Sequence, residues 1–244
     1  VTLSGGWRAS GFVSKDYLVN ADGRPATPKI FAAYPAVSHR GLIQRWGSRS
    51  DSRLSYEFFE SAKRLAATHV GEPGDDVILL PIMLLYRFAI ELSLKESIHY
   101  AALLRRRNKD SDPSLETHAV SERLERKHRH SIGALVHELN THMTALDLQV
   151  IPKDTGRILQ MLAEADATGE AFRYTGKLAE TYDNIDFPSL NAALDETYGI
   201  TAASHDVLEA YGSAQDEYLE VEREIDAEMR AEYESNYKSE MGGW

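Results

Sequence analysis

The stretch Leu80-Pro81-Ile82-Met83-Leu84-Leu85-Tyr86-Arg87-Phe88-Ala89-Ile90-Glu91-Leu92-Ser93-Leu94-Lys95 decides the fold. On a helical wheel of about 100° per residue, Arg87, Glu91 and Lys95 fall within about 80° of one another, one charged stripe. Leu80, Leu84, Leu94 and Ile98 share that sector, and Ile82, Leu85, Ala89 and Leu92 fill the opposite side. A helix that is apolar all round is buried. Its three charges therefore face an interior, an interface or a polar cleft. Unpaired burial of Arg or Glu costs several kcal/mol, so mutual pairing is expected. Glu91 and Lys95 have the favourable i,i+4 order, but in water such a pair contributes only about 0.3–0.5 kcal/mol. Two readings of the stripe stand: a buried network that fixes helix register, and a cleft for a charged ligand.

Outward from this helix the pattern is helical in both directions. Leu54, Phe58, Ala62 and Leu65 recur at helical spacing over about 51–70, and Gly71-Glu72-Pro73-Gly74 ends that helix. Asp75 or Asp76 is expected to cap the central helix, which runs to about Arg107 with Pro81 near its first turn. A short helix is expected over 114–126 and a firmer one over Ser131–Leu146. Another follows Pro152 to about Ala167. After Pro188 the last helical region is expected to break at Gly199 and Gly212. Residues 1–50 lack helical periodicity. They read as an irregular arm, or as a hairpin in which the Asp22-Gly23 turn joins 17–21 to 29–31. The fold class is therefore all-α. It is an antiparallel helical bundle around a long buried central helix, with an arm at 1–50, a helical domain at 51–214 and an acidic helix or tail at 215–244.

At 244 residues, 43% hydrophobic and 27% charged, the chain can bury a core and is not disordered. It contains no cysteine, which excludes disulfides, thiolate zinc sites and a Cys nucleophile. With no signal-peptide pattern, the expected location is the cytoplasm. The apolar run Val77–Tyr86 is about half a bilayer span, so no membrane insertion is expected. The net charge of −11 is uneven. Residues 215–240 carry ten acidic and three basic side chains, whereas 105–129 carry eight basic and five acidic. A polyanion could dock on the latter, and the acidic helix could meet a basic protein partner. His137 and His142 are five apart and so on different faces, which argues against a zinc helix. No metal or other cofactor is expected, and there is no phosphate-cradling Gly loop or nucleophile elbow.

Three ordered blocks carry a family resemblance. The "Leu-Pro, Tyr-Arg, Glu-Leu-x-Leu-Lys" helix at 80–95, His130 with Leu135 five residues on, and Asp166 followed by Phe172-Arg173-Tyr174 together resemble bacterial helical proteins of the HEPN superfamily. Such proteins include metal-independent RNases of toxin–antitoxin and phage-defence systems. The resemblance implies a homodimer that binds or cleaves RNA or a nucleotide. Arg87, Glu91, Lys95, Asp166, Arg173 and Tyr174 would line its ligand cleft. Arg87 and Arg173 would hold phosphate, His130 would serve as acid or base, and Glu91 and Asp166 would orient the cations. HEPN RNases pair an Arg with a His across four to six intervening residues. Of the occurrences here, Arg123 with His130 is the best placed, and the two would share a face if 123–130 were one helix. The number of such pairs is close to that from random placement. The chain departs from the pattern at two places, the first of which favours the alternative, a non-catalytic regulatory or assembly subunit, whereas the basic 105–129 stretch favours the RNA reading. Phe88 stands where such proteins usually carry His after Tyr-Arg, and Thr175-Gly176-Lys177 stands where they carry Pro and an acid.

Overall fold

The computed structural model describes residues 51–173 and 185–241, and among these the ordered elements are helical. Helix α1 spans Asp51–Ala66, α2 Leu79–Arg107, α3 Thr117–Glu122, α4 Ile132–Ala145, α5 Lys153–Ala165 and α6 Phe187–Met241. The arm at 1–50, with its possible hairpin, and Tyr174 lie outside the described residues.

Helix α2 is the axle. Tyr86, Arg87, Ala89, Ile90, Leu94 and Ile98 are all buried, as an all-round apolar helix requires. Pro81 is the third residue of α2, in the first turn, where a missing N–H breaks no intrahelical bond. The Asp75 carboxylate caps the chain upstream of α2, accepting N–H bonds from Val70, Gly71 and Glu72 at 2.8, 2.7 and 3.2 Å. It thereby orders the turn Pro73–Ile78, and α2 itself begins without a side-chain cap.

The neighbours of α2 are fixed by specific contacts. Helix α1 runs antiparallel to it: Ser55 Oγ donates to the Ala89 carbonyl at 2.7 Å, and Phe59 meets Tyr86 edge-on at 6.1 Å. Ala62, with no exposed surface, lets the two backbones approach. Helices α4 and α6 run in the same direction as α2. Contacts of α4 pair His130 with Glu91 and His142 with Arg105, and those of α6 pair Asn191 with Tyr86 and Gln215 with Leu104. Helix α5 returns antiparallel and delivers Asp166 to Arg87. Pro73–Arg107 is long and apolar enough to cross a membrane by length and composition alone, yet the bundle packs around it.

Two sequence expectations are corrected. Gly199 and Gly212 do not interrupt the last helix, which continues unbroken for 55 residues. Each Gly costs about 1 kcal/mol in a helix interior, less than the packing of α6 against α2 returns. Gly212 also has a positive use, because a Cβ there would lie 2.4 Å from the Tyr100 hydroxyl oxygen. The second correction concerns 123–130. Residues Arg123–His128 form one π-helical turn, and Arg129 reverses the chain at φ 49°. Ser131 then starts α4 by accepting an N–H bond from Ala134. No helix carries Arg123 round to His130.

These two glycines give a paired prediction. Gly199→Ala meets nothing within 4 Å, so it should raise stability by about 0.5–1 kcal/mol through helix propensity. Gly212→Ala should lower it by about 1–3 kcal/mol through overpacking against Tyr100 and Leu104. Urea denaturation of the two variants beside the parent checks both signs.

Candidate functional site

Arg87 has no exposed surface, and its guanidinium is used up inside the protein. Nη1 donates to Glu91 Oε2 at 2.8 Å, and Nη2 donates to the main-chain carbonyls of His130 and Asp166. Nε lies 2.9 Å from Asp166 Oδ2, an ion pair in close contact but without hydrogen-bond alignment. The fork therefore ties three elements together: the middle of α2, the entry to α4 and the exit of α5.

Glu91 carries the network outward. Its Oε1 accepts from Lys95 Nζ at 2.7 Å and from His130 Nδ1 at 2.9 Å. Burial alone would push the Glu91 carboxyl up, but the Lys95 and His130 hydrogen bonds and charges hold it below its ordinary value. An ionised carboxylate only accepts, so the His130 proton facing it sits on Nδ1. In the neutral ring Nε2 then offers a lone pair on the outer side. That nitrogen has no partner among the described residues, and the His130 side chain is 45% exposed.

The exit of α5 closes the site from the other side. Asp166 Oδ1 accepts the N–H groups of Glu170 and Ala171 at 2.8 and 2.9 Å, which folds 166–171 into a turn. Within it, Gly169 adopts φ +76° and packs on His130, where a Cβ would lie 2.8 Å from His130 Cβ and 3.2 Å from Arg87 Nη2. Only glycine suits both the backbone and the space. Phe172 is buried, and Arg173 is exposed with its Nε donating to the Gly169 carbonyl at 2.8 Å. Arg87, Glu91, Lys95, His130 and Asp166 thus converge, and Arg173 hangs on the same turn.

Arg123 belongs to a different cluster. It grips Glu138 Oε1 through Nη2 at 2.6 Å and Nε at 2.9 Å, and donates to the Ser114 carbonyl. His128 Nε2 bonds the second oxygen of Glu138, and the buried His142 lies 3.5 Å from Oε1. Arg105 bridges His142 Nδ1 at 3.1 Å and Asp110 Oδ2 at 2.6 Å. Arginine can only donate, so Nδ1 of His142 accepts and its proton sits on Nε2, towards Glu138. Burial opposes ionisation of Glu138, but bonds from His142, Arg123 and His128 outweigh it and hold the carboxylate far below its ordinary value. Sequence reasoning missed this cluster and Gly169. The i,i+4 pair Glu138–His142 was the one local signal for the former.

Phe88 packs against Phe58 of α1 at 5.4 Å. It faces α1, away from the Arg87 cluster.

Removing Arg87 strands two buried carboxylates, so Arg87→Ala should cost about 3–5 kcal/mol in denaturant unfolding. Glu91 supplies a pH test of the same network. Its folded value is depressed, so its contribution is full above the unfolded carboxylate value near about 4.3 and is lost as pH falls through the folded one. The stability gap between the parent and Glu91→Gln should accordingly be widest near neutral pH and narrow on acidification.

Comparison of the chain with protein-family models, with curated proteins and with solved structures finds no match.

Proposed function

We propose that this chain is a HEPN-like protein that binds RNA and cleaves it without a metal, with His130 as the reacting base. One observation carries the reading: a half-exposed imidazole whose inner nitrogen is fixed by an ionised, nearly buried carboxylate, beside a lysine on the same oxygen. A carboxylate behind a histidine sets its tautomer. His130 Nε2 takes the proton of a ribose 2′-hydroxyl, and the 2′-oxygen attacks the adjacent phosphorus. The 5′-oxygen departs and receives that proton from the imidazolium, leaving a 2′,3′-cyclic phosphate and a 5′-hydroxyl.

The charge that builds on the phosphoryl oxygens needs a cation. Arg87 is spent on Glu91, Asp166 and two carbonyls, so it is a positioning residue. Lys95, with its side chain 20% exposed, and Arg173 on the neighbouring turn are the cations at the surface of the site. The HEPN resemblance supplies the setting, a homodimer in phage defence or a toxin–antitoxin pair in the cytoplasm.

The test is digestion of total RNA in EDTA. The parent should cleave, leaving cyclic phosphate ends. His130→Ala should lose about 10²–10⁴-fold in rate, and Lys95→Ala about 10²–10³-fold, both in protein that circular dichroism shows to keep the parent's helix content. Full activity in His130→Ala would falsify the mechanism.

A second reading has its own support. Full engagement of Arg87 by internal carboxylates and carbonyls is also what a network that merely fixes helix register needs. A parent protein that leaves RNA intact in EDTA while holding a protein partner would establish this non-catalytic assembly role instead.

A further inference from the structure

Helix α6 leaves the bundle. Its last ion pairs to α2 and the following loop are Arg107–Asp216 at 2.9 Å and Lys109–Glu222 at 3.9 Å. From Arg223 to Met241 it continues for about 28 Å at 1.5 Å per residue. Most of the stability of a protein helix comes from packing of an amphipathic face, and this extension packs on nothing among the described residues. Along it Tyr218, Val221, Ile225, Met229, Tyr233 and Tyr237 are each more than half exposed. At about 100° per residue they occupy one sector of about 160°. Large apolar side chains lined up on one face of an extended helix mark an interaction surface.

The charges select the occupant. Glu220, Glu224, Glu228 and Glu234 flank or oppose the stripe and Glu222, Asp226 and Glu232 are interspersed within its sector, against Arg223, Arg230 and Lys238. A second copy of this helix would set acid against acid along its whole length. Where α6 still touches the body of the protein, its acids receive Arg107 and Lys109. Beyond Glu222, among the described residues, the ion pairing of α6 is confined to Lys238 with Glu234 at 3.9 Å. We infer that the projecting part of α6 docks a basic amphipathic helix of another protein, apolar face on apolar stripe and Lys/Arg flanks on the acids. This surface stands whether or not His130 is catalytic.

The probe is a synthetic helix of about three heptads with Leu at a and d and Lys elsewhere, titrated into the full chain by calorimetry. Its control is a peptide of the same composition scrambled to lose the stripe. The Leu/Lys helix should bind one to one, and the scrambled peptide at least about tenfold more weakly. The triple change Val221→Ser, Ile225→Ser, Met229→Ser keeps every charge and should weaken binding by at least about tenfold. The triple change Glu224→Gln, Asp226→Asn, Glu228→Gln keeps the stripe and should weaken binding while removing its salt dependence. Circular dichroism confirms that each variant keeps its helix. Equal binding by the Ser variant or by the scrambled peptide reduces the contact to charge and overturns the proposal, as does no binding at all. A parent that sediments as a dimer, and as a monomer after the Ser changes, shows a second copy on the stripe and overturns it too.

Discussion

The structure turns on one guanidinium that has no access to water. A buried arginine is tolerable only if its donors are met, and five N–H groups in a rigid fork demand acceptors in fixed directions. Glu91 and two main-chain carbonyls accept from its terminal nitrogens and Asp166 pairs with Nε by charge, and they come from three separate parts of the chain. The rotation of α2, the entry to α4 and the exit of α5 are thereby set together. The requirement propagates further. For the 166–171 turn to bring its carbonyl and carboxylate to Arg87 while passing His130, the residue at the contact must lack a Cβ, and Gly169 supplies it. Neutralisation inside the protein also leaves Glu91 ionised, and its spare oxygen is what holds His130 and Lys95 at the surface.

A second polar clamp joins α2 to α4 at their other ends, where Glu138, His142, Arg105 and Arg123 interlock. Two parallel helices bound at both ends cannot slide, which suits a bundle whose polar groups tolerate little misregister. The clamps are not equivalent in chemistry. In the second, His128 and His142 are 12% and 4% exposed at the side chain, and their nitrogens are aimed at Glu138 and Arg105. In the first, His130 turns one nitrogen inward and one outward. The difference in access, not in residue types, makes one a candidate reaction site and the other a strut.

Local pattern made the all-α class, the buried α2 and the pairing of its charges legible, because each rests on helical periodicity or on the cost of an unpaired buried charge; that His130 and Asp166 join those charges came from the resemblance alone. The failures have physical reasons. Gly199 and Gly212 signal breaks by propensity, but tertiary packing along α2 overrides propensity, and Gly212 is the very residue that admits Tyr100. Pairing Arg123 with His130 assumed a continuous helix, which the positive φ of Arg129 removes. Gly169 was illegible because its role is defined by neighbours 82 and 39 positions earlier, at Arg87 and His130. Of the residues the resemblance to HEPN proteins pointed to, Arg87, Glu91, Lys95, His130 and Asp166 meet, Arg173 hangs on the adjoining turn, and Arg123 lies in another cluster.

The spent state of Arg87 changes what catalysis here would require. A guanidinium that stabilises a phosphoryl transition state must face the substrate, and this one would have to abandon Glu91 and Asp166, leaving two carboxylates in low dielectric. The cost of that exchange exceeds what a single phosphate contact returns. Arg87 is better placed to act at one remove: it keeps Glu91 charged and oriented, and Glu91 in turn decides which nitrogen of His130 carries the proton. In the proposed reaction, phosphate contact would then fall to side chains already at the surface, Lys95 first. The departure at Phe88 loses its weight on the same ground, since that position faces Phe58 on α1. An imidazole there would join the α1 packing and leave the chemistry at Glu91 and His130 unchanged.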